Sequence, residues 1–248
     1  GAVVLLDEAH RRALRFAPAP TARPPEVIPL SIDGRLADLA LEANGSLDVL
    51  ESVALPGRGP VVRRFDSTGR PVGAVETAER SPSQIRIGPN GPVVLEHPSH
   101  LWVPIAANGL SLSPAEQLRQ GRVGRPFRPG PEVVVSRIGD ELRLAVLSRG
   151  RVQTTWRIVS AEHLGEVQLA EPVGDRVAVV VRVYDEHADE FRVLLLDGRG
   201  LVQDFAVASA DWAETAPLSR FRLTGGSLYQ LGSDASGAFV DRYDLEVH

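Results

Sequence analysis

Short runs of alternating apolar and polar residues, separated by turn residues, recur along most of this 248-residue chain. In Asp38–Ser52, DLALEANGSLDVLES, apolar residues alternate on both sides of Asn44-Gly45, which is the pattern of a β-hairpin. A second hairpin is predicted around the turn DSTG at residues 66–69, because GPVVRRF and RPVGAVE flank it. Alternation with a period of two predicts strands throughout, and therefore an all-β fold.

The first sixteen residues, GAVVLLDEAHRRALRF, fit two interpretations. Taken alone, Glu8–Leu14 would form a short amphipathic helix. The segment aligns, however, with the later stretch LDVLESVALPGRGPVVRRF, which has two strands around a polar loop. The sequence therefore predicts a hairpin in which Val3–Leu6 pairs with Ala13–Phe16 across a turn at Asp7–Arg11.

One glycine precedes the second strand of each predicted unit, and these glycines recur roughly every 40 to 50 residues. They are Gly1, Gly45, Gly91, Gly139, Gly174 and Gly226. A unit of this length with four short strands is typical of a β-propeller blade, which buries both faces only by stacking on its neighbours. We predict one domain over residues 1–248: a six-bladed β-propeller of four-stranded antiparallel blades.

The terminal blades are predicted to be incomplete. The last unit, Ser219–Val247, supplies three strands, and the first unit lacks its first strand. Two arrangements remain open at this point. Either residues upstream of Gly1 or a partner's strand complete the ring, or shorter blades close it within the chain.

Two segments interrupt the strand pattern. FAPAPTARPPEVIP, at Phe16–Pro29, is predicted to run as extended coil because proline cannot donate to a strand ladder. At residues 112–131, Ser113 is a candidate helix cap, Pro114 suits the first helical position, and Gly121 ends a helix of one to two turns.

Part of the chain resembles a known family of repeats. LLDEAHRRALRF resembles the repeat core of NHL-type six-bladed propellers through Asp7, Arg12 and Phe16, with His10 where such repeats usually carry Asn. VVRRFDSTG, at Val61–Gly69, fits the same pattern, and the resemblance extends to about Ser113. It implies the propeller fold and says little about function, because these propellers include enzymes and binding modules alike.

Composition narrows the classes of partner and compartment. A net charge of -5 argues against a nucleic-acid or anionic-membrane partner, and no apolar run is long enough to span a membrane. Cysteine is absent, which excludes disulfides and leaves the compartment open. All 27 basic residues are arginine, and methionine is also absent, which fits a thermophilic source as well as a GC-rich genome.

Two clusters could hold a metal ion. EHPSH places His97 and His100 beside a carboxylate, and YDEHADEF gathers Asp185 and Asp189 in one acidic loop. Neither has convergent ligand spacing, so solvated loops are the main interpretation of both.

An enzyme that uses the central channel of the propeller would need acidic side chains from several blades. Asp38, His97 and Asp140 lie near strand ends, but no acidic position repeats.

These observations favour a non-catalytic binding or scaffold propeller without a cofactor, located outside the cytoplasm or secreted, with a cytoplasmic location left open. Its blade-end loops would bind a protein or a glycan. A metal-dependent hydrolase, lactonase or lyase that uses the central channel is the alternative. Self-association through an incomplete blade edge is a third possibility.

Overall fold

Strands account for 67% of the chain and helix for 3% in the computed structural model. The structure describes residues 3–17, 23–52, 59–88, 90–96, 100–121, 123–126, 131–184, 189–208, 219–234 and 237–245. Every strand pair within these residues is antiparallel, and neighbouring strands of each sheet are consecutive along the chain. The all-β prediction is confirmed.

The chain divides into two compact units, and residues 1–98 and 102–122 form the first. Its elements are β1 (Val3–Asp7), β2 (Arg12–Phe16), β3 (Glu26–Pro29), β4 (Leu36–Leu41), β5 (Leu47–Glu51), β6 (Val61–Phe65), β7 (Pro71–Glu76), β8 (Pro82–Gly88), β9 (Gly91–Glu96), β10 (Trp102–Pro104), β11 (Ala106–Ala107), β12 (Leu110–Ser111) and helix α1 (Pro114–Gln120). The strands form sheets with the orders β1-β2-β3, β4-β5-β6-β7, β10-β9-β8 and β11-β12.

The second unit comprises residues 99–101 and 123–248. Its strands are β13 (Arg125–Pro126), β14 (Glu132–Ile138), β15 (Glu141–Ser148), β16 (Arg151–Val159), β17 (His163–Val173), β18 (Arg176–Tyr184), β19 (Asp189–Asp197), β20 (Gly200–Ala208), β21 (Phe221–Thr224), β22 (Ser227–Asp234) and β23 (Gly237–Asp244). Among the described residues they form two four-stranded sheets, β13–β16 and β17–β20, and one three-stranded sheet, β21–β23.

The opening segment forms the predicted hairpin. Strand β1 pairs with β2 from Val3↔Phe16 to Asp7↔Arg12. Asp7 closes the turn, because its carboxylate accepts hydrogen bonds from the His10 backbone N–H at 3.2 Å and from Arg12 Nε at 2.8 Å. Burial alone would raise the pKa of Asp7, but the hydrogen bonds from Arg12 and His10 outweigh it and lower this pKa.

In the part of the chain that the structure describes, six sheets have three or four strands, which matches the number of predicted blades, and three of these sheets have four strands. Residues on either side of Asn108-Gly109 do not join the third sheet, β10-β9-β8. They form β11 and β12, a separate two-stranded ribbon. The break falls at Pro104, which has no N–H to donate, and at Ile105, whose N–H is bonded to Pro92 O.

Two further details differ from the sequence-based expectation. Glu26–Pro29, the end of the segment expected to be extended coil, is strand β3 and pairs with β2. Its place at the sheet edge explains this, because an edge strand tolerates a missing donor. Gly139 lies between the second and third strands of its sheet rather than before the second, because the two-residue β13 precedes β14.

The predicted helix is confirmed as α1 at Pro114–Gln120. Ser113 and Glu116 form a capping box, with Pro114 in the first turn and Gly121 as the C-cap. Within the described part of the chain, no helix is long and apolar enough to cross a membrane.

The apolar cores lie between successive sheets within each unit. In the sheet β4–β7, Leu47 and Val49 face one core cluster with Phe65, whereas Leu50 and Val62 belong to another. The sheet β17–β20 in the second unit is likewise buried on both faces. This two-sided burial is what stacked blades require.

Gly69 gives a direct test of the packing in the first unit. It has a φ of +88°, and a Cβ placed there would lie 2.6 Å from the backbone oxygen of Pro29 in strand β3. We expect Gly69→Ala to lower the free energy of unfolding by about 2 to 3 kcal/mol, because strain and a backbone clash add. Urea denaturation measures the change.

Gly139→Ala is the matched control, since Gly139 has a φ of +59° with open space around its Cβ position. It should cost only about 1 kcal/mol, the penalty of a left-handed alanine. Equal losses at the two sites would contradict the close packing of the β6–β7 turn on β3.

Candidate functional site

A buried ion pair joins two neighbouring sheets of the first unit. Asp38 on β4 and Arg86 on β8 are both buried, and Arg86 Nη1 lies 3.3 Å from Asp38 Oδ2. The same carboxylate accepts the backbone N–H groups of Leu39 and Ile85, each at 2.9 Å. Asp38 therefore has its charge balanced and its oxygens occupied by donors of this chain.

The guanidinium of Arg86 is held from several sides. Its Nη2 donates to Gln84 Oε1 and its Nη1 to Ile85 O, both at 2.9 Å. It also lies 5.8 Å from the centre of the Trp102 ring, within the range of a cation–π contact. Such a fixed, paired arginine links β8 to β4 and leaves no basic group poised for proton transfer.

A second polar cluster involves two carboxyl groups that share one arginine. Asp48 on β5 is fully buried and bonds Arg64 Nε through Oδ1 at 2.9 Å. Glu42 lies 3.4 Å from Arg64, and burial together with its hydrogen bond to Asp48 raises the pKa of Glu42. Among the described residues, Asp48 Oδ2 is buried and has no hydrogen-bond partner.

The segment at residues 106–121, which we call the insertion, departs most from the repeat. It comprises the β11–β12 ribbon and α1, and it follows the three-stranded sheet β10-β9-β8. Leu110 is 74% exposed and Leu118 62% exposed. Leu110 is the most exposed large apolar side chain among the residues that the structure describes.

Gln117 fixes the insertion to the strand β7. Its side chain is fully buried, donates to Glu76 O at 2.8 Å and Leu112 O at 2.9 Å, and accepts from Ala78 N at 2.8 Å. A shallow depression beside it is lined by Ala78, Glu79, Val103, Gln117, Leu118 and Gly121. The exposed leucines are thus presented on a rigidly held segment.

Most of the sequence-based metal candidates lie outside the part of the chain that the structure describes. His97 and Asp185 lie outside the described residues, as does the Asp189 side chain, whereas His100 lies inside them. Asp140 is exposed in the β14–β15 turn and accepts the Leu164 N–H at 3.0 Å. Among the described residues, no three histidine or acidic side chains are close enough to hold a metal ion.

Sequence reasoning named Asp38 as a candidate but missed Arg86, its partner, and the residues of the insertion. Arg86 stands in the apolar strand QIRIG, and a charge inside such a run is a signal of a buried pair. Gln117 and Leu118 gave no comparable signal, because helical periodicity over seven residues is too short to assign a buried face.

Comparison with solved structures supports the fold. Hydrazine synthase from Kuenenia stuttgartiensis matches with a TM-score of 0.56 and 10% identity, covering 93% of this chain and 73% of that one. A protein of unknown function from Bacteroides caccae matches at 0.51 and 16%, covering 84% and 78%. A candidate 6-phosphogluconolactonase from Bacteroides uniformis matches at 0.50 and 9%, covering 95% and 91%.

The neighbours are β-propeller proteins, and this chain has the same fold. At such low identity the likeness shows the fold alone. No family model matches the sequence, and no curated protein sequence matches it significantly.

The Asp38–Arg86 pair gives the first prediction at these clusters. Arg86→Met keeps an apolar stem but leaves Asp38 buried without its counter-charge, so it should lower the free energy of unfolding by about 3 kcal/mol. Chemical denaturation measures the loss. Arg157→Met is the control, because Arg157 pairs with Glu141 at the surface, and its effect should be small.

The carboxyl pair gives a pH-dependent prediction. Because the pKa of Glu42 is raised in the folded protein, the folded state binds a proton more tightly than the unfolded chain does. Stability should therefore fall as pH rises from the ordinary glutamate range through the raised pKa. Glu42→Gln, which cannot ionise, should unfold at a higher temperature than wild type at pH 7.

The advantage of Glu42→Gln should shrink as the pH approaches 4, where wild-type Glu42 carries its proton. Glu26→Gln, at an exposed glutamate, controls for the loss of one negative charge. Melting temperatures of wild type and both variants across this pH range test the raised pKa of Glu42. A Glu42→Gln advantage that does not change with pH would contradict it.

Proposed function

We propose that this chain is a non-catalytic binding propeller whose protein partner docks on the insertion at residues 106–121. The observation that carries the proposal is the exposure of Leu110 and Leu118 on a segment that Gln117 connects to Glu76 and Ala78 by two hydrogen bonds. A rigid apolar anchor binds with little loss of conformational entropy, which is how interface hot spots act. Insertions in repeat folds commonly lie on the binding face.

A protein partner fits these side chains better than a glycan does. Leucines at this exposure offer apolar area, whereas sugars are bound by aromatic faces and by polar groups that hydrogen-bond hydroxyls. Trp102 is buried, and Trp156 is half-buried and donates its Nε1–H to Asp197 O at 2.9 Å. Neither indole is arranged as an open stacking platform.

The alternative is a hydrolase or lactonase that uses the propeller channel. Its best candidates are Asp38 and Arg86, which lie on the strands β4 and β8. Both have their charges and hydrogen bonds taken up within the chain, which supports a structural role. A catalytic acid or base would need an oxygen or nitrogen within reach of a substrate.

Two finer assignments belong to the same proposal. NHL-type repeats are supported by Asp7 and Arg12, whose 2.8 Å ion pair closes the first hairpin turn. A location outside the cytoplasm is the setting we propose for such a binding module, and the absence of cysteine is compatible with it.

The docking face is tested by quantitative affinity capture from the source organism. We expect the double variant Leu110→Asp/Leu118→Asp to capture at least about ten-fold less of the partner protein than the wild-type chain does. Docking would bury the two introduced charges, which opposes binding. Val72→Asp is the control, since Val72 is also an exposed apolar residue, at 57%, but lies on β7 outside the insertion. Circular dichroism verifies that each variant is folded.

Two results would overturn the proposal. One is a partner retained equally by wild type and the double variant. The other is turnover of a sugar lactone by the wild-type chain that Arg86→Met abolishes without unfolding the protein, which would favour the channel enzyme.

A further inference from the structure

Two hairpin turns of the first unit contain the same tripeptide, Ala-Asn-Gly, at residues 43–45 and 107–109. Asn44 and Asn108 are both exposed. Asparagine is a thermolabile residue, and it is most labile before glycine, which has no side chain to shield its backbone nitrogen. Because the two tripeptides are identical, a difference in their reactivity reports mainly on the fold around them.

Hydrogen bonds hold Asn44 and the residue that follows it. Asn44 Oδ1 accepts the Ser46 backbone N–H at 2.9 Å. The Gly45 backbone N–H donates to Glu42 O, also at 2.9 Å. A reaction between the Asn44 amide and the Gly45 nitrogen must therefore break two hydrogen bonds before the two groups can meet.

Asn108 and Gly109 are free of such bonds. They form a two-residue turn between Ala107 and Leu110, which pair across the β11–β12 ribbon. Their φ angles of 50° and 78° are those of a type I′ turn, which explains why Asn-Gly is present. Within the part of the chain that the structure describes, no hydrogen bond involves the Asn108 side chain or the Gly109 N–H.

We propose that Asn108 is a modification site, at which the folded chain converts its own side-chain amide to a carboxylate by deamidation. The Gly109 backbone nitrogen loses its proton and forms a bond to Asn108 Cγ. The bond from Cγ to Nδ2 breaks, and ammonia leaves. Water then adds to one carbonyl carbon of the resulting five-membered imide and opens the ring, which yields aspartate or isoaspartate.

Either product adds one negative charge to the insertion, two residues from Leu110. Isoaspartate also adds a carbon atom to the main chain, and the ribbon has only the pairs Ala106↔Ser111 and Ala107↔Leu110 to keep its register. An effect on docking rests on the proposed function: a carboxylate beside Leu110 must be desolvated when a partner covers that leucine, so the modified chain binds more weakly. The modification itself requires no partner.

Mass spectrometry of the incubated full chain tests the modification. The protein is kept folded in mildly alkaline buffer, digested with trypsin at intervals, and analysed for replacement of amide by acid. We expect Asn108 to react at least about ten-fold faster than Asn44 in the same sample, because two hydrogen bonds retain Asn44. Fragmentation separates Asn108 from Asn90, since both lie between Arg86 and Arg119 in one tryptic peptide.

Two controls show whether the fold causes the difference. In concentrated urea the two identical tripeptides should react at similar rates, because the hydrogen bonds at Asn44 are then lost. Gly109→Ala should slow the reaction at Asn108 and leave Asn44 unchanged, because a Cβ crowds the attacking nitrogen. The Cβ position at Gly109 is otherwise in open space, and circular dichroism verifies that this variant is folded.

The proposal is overturned if Asn44 reacts as fast as Asn108 in the folded chain, or if the difference persists in urea. The effect on docking is measured separately, by affinity capture with Asn108→Asp and with Asn44→Asp as the matched control. Capture by Asn108→Asp should fall below that of wild type and of the control, and equal capture by all three would refute the effect. Because mass spectrometry detects the modification without a partner, its failure and that of the proposed function are distinguished.

Discussion

Burial of both faces of a narrow sheet is the constraint on which this structure depends. In β18 the consecutive residues Val177–Val181 alternate between two core clusters, with Val177 and Val179 in one and Ala178 and Val180 in the other. Neither face could be left to water without exposing a row of branched side chains. Each sheet therefore requires neighbours, and repetition of a short strand unit is the simplest way to provide them.

This constraint also determines how charges are arranged. A strand buried on both faces has no solvent-facing side for an acid, so each acid within it must find a counter-charge inside the fold. On β5, Asp48 pairs with Arg64 and Glu51 pairs with Arg63, and both arginines lie on the neighbouring strand β6. Arginine suits this role because its planar guanidinium group remains charged and donates hydrogen bonds in fixed directions. The exclusive use of arginine among the basic residues is consistent with such pairing.

Local chemistry explains which elements could be predicted from the sequence. The turn at Asn44-Gly45, the turn stabilised by Asp66 and the cap at Ser113 depend on residues within a few positions of each other. Strand β3 could not be predicted, because its residues favour coil and only pairing with β2 makes them a strand. The Asp38–Arg86 pair joins residues almost fifty positions apart, and no local pattern specifies which arginine a buried aspartate meets.

Departures from a repeat carry information that the repeat itself cannot carry. Residues that every blade shares are explained by stacking, so they do not distinguish a scaffold from an enzyme. Leu110 and Leu118 have no such explanation, because the ribbon and helix that carry them are not strands of the sheet before them. The helix is nevertheless held in place by a fully buried glutamine that bonds to Glu76. The insertion is therefore the part of the described structure that stacking of the repeat does not explain.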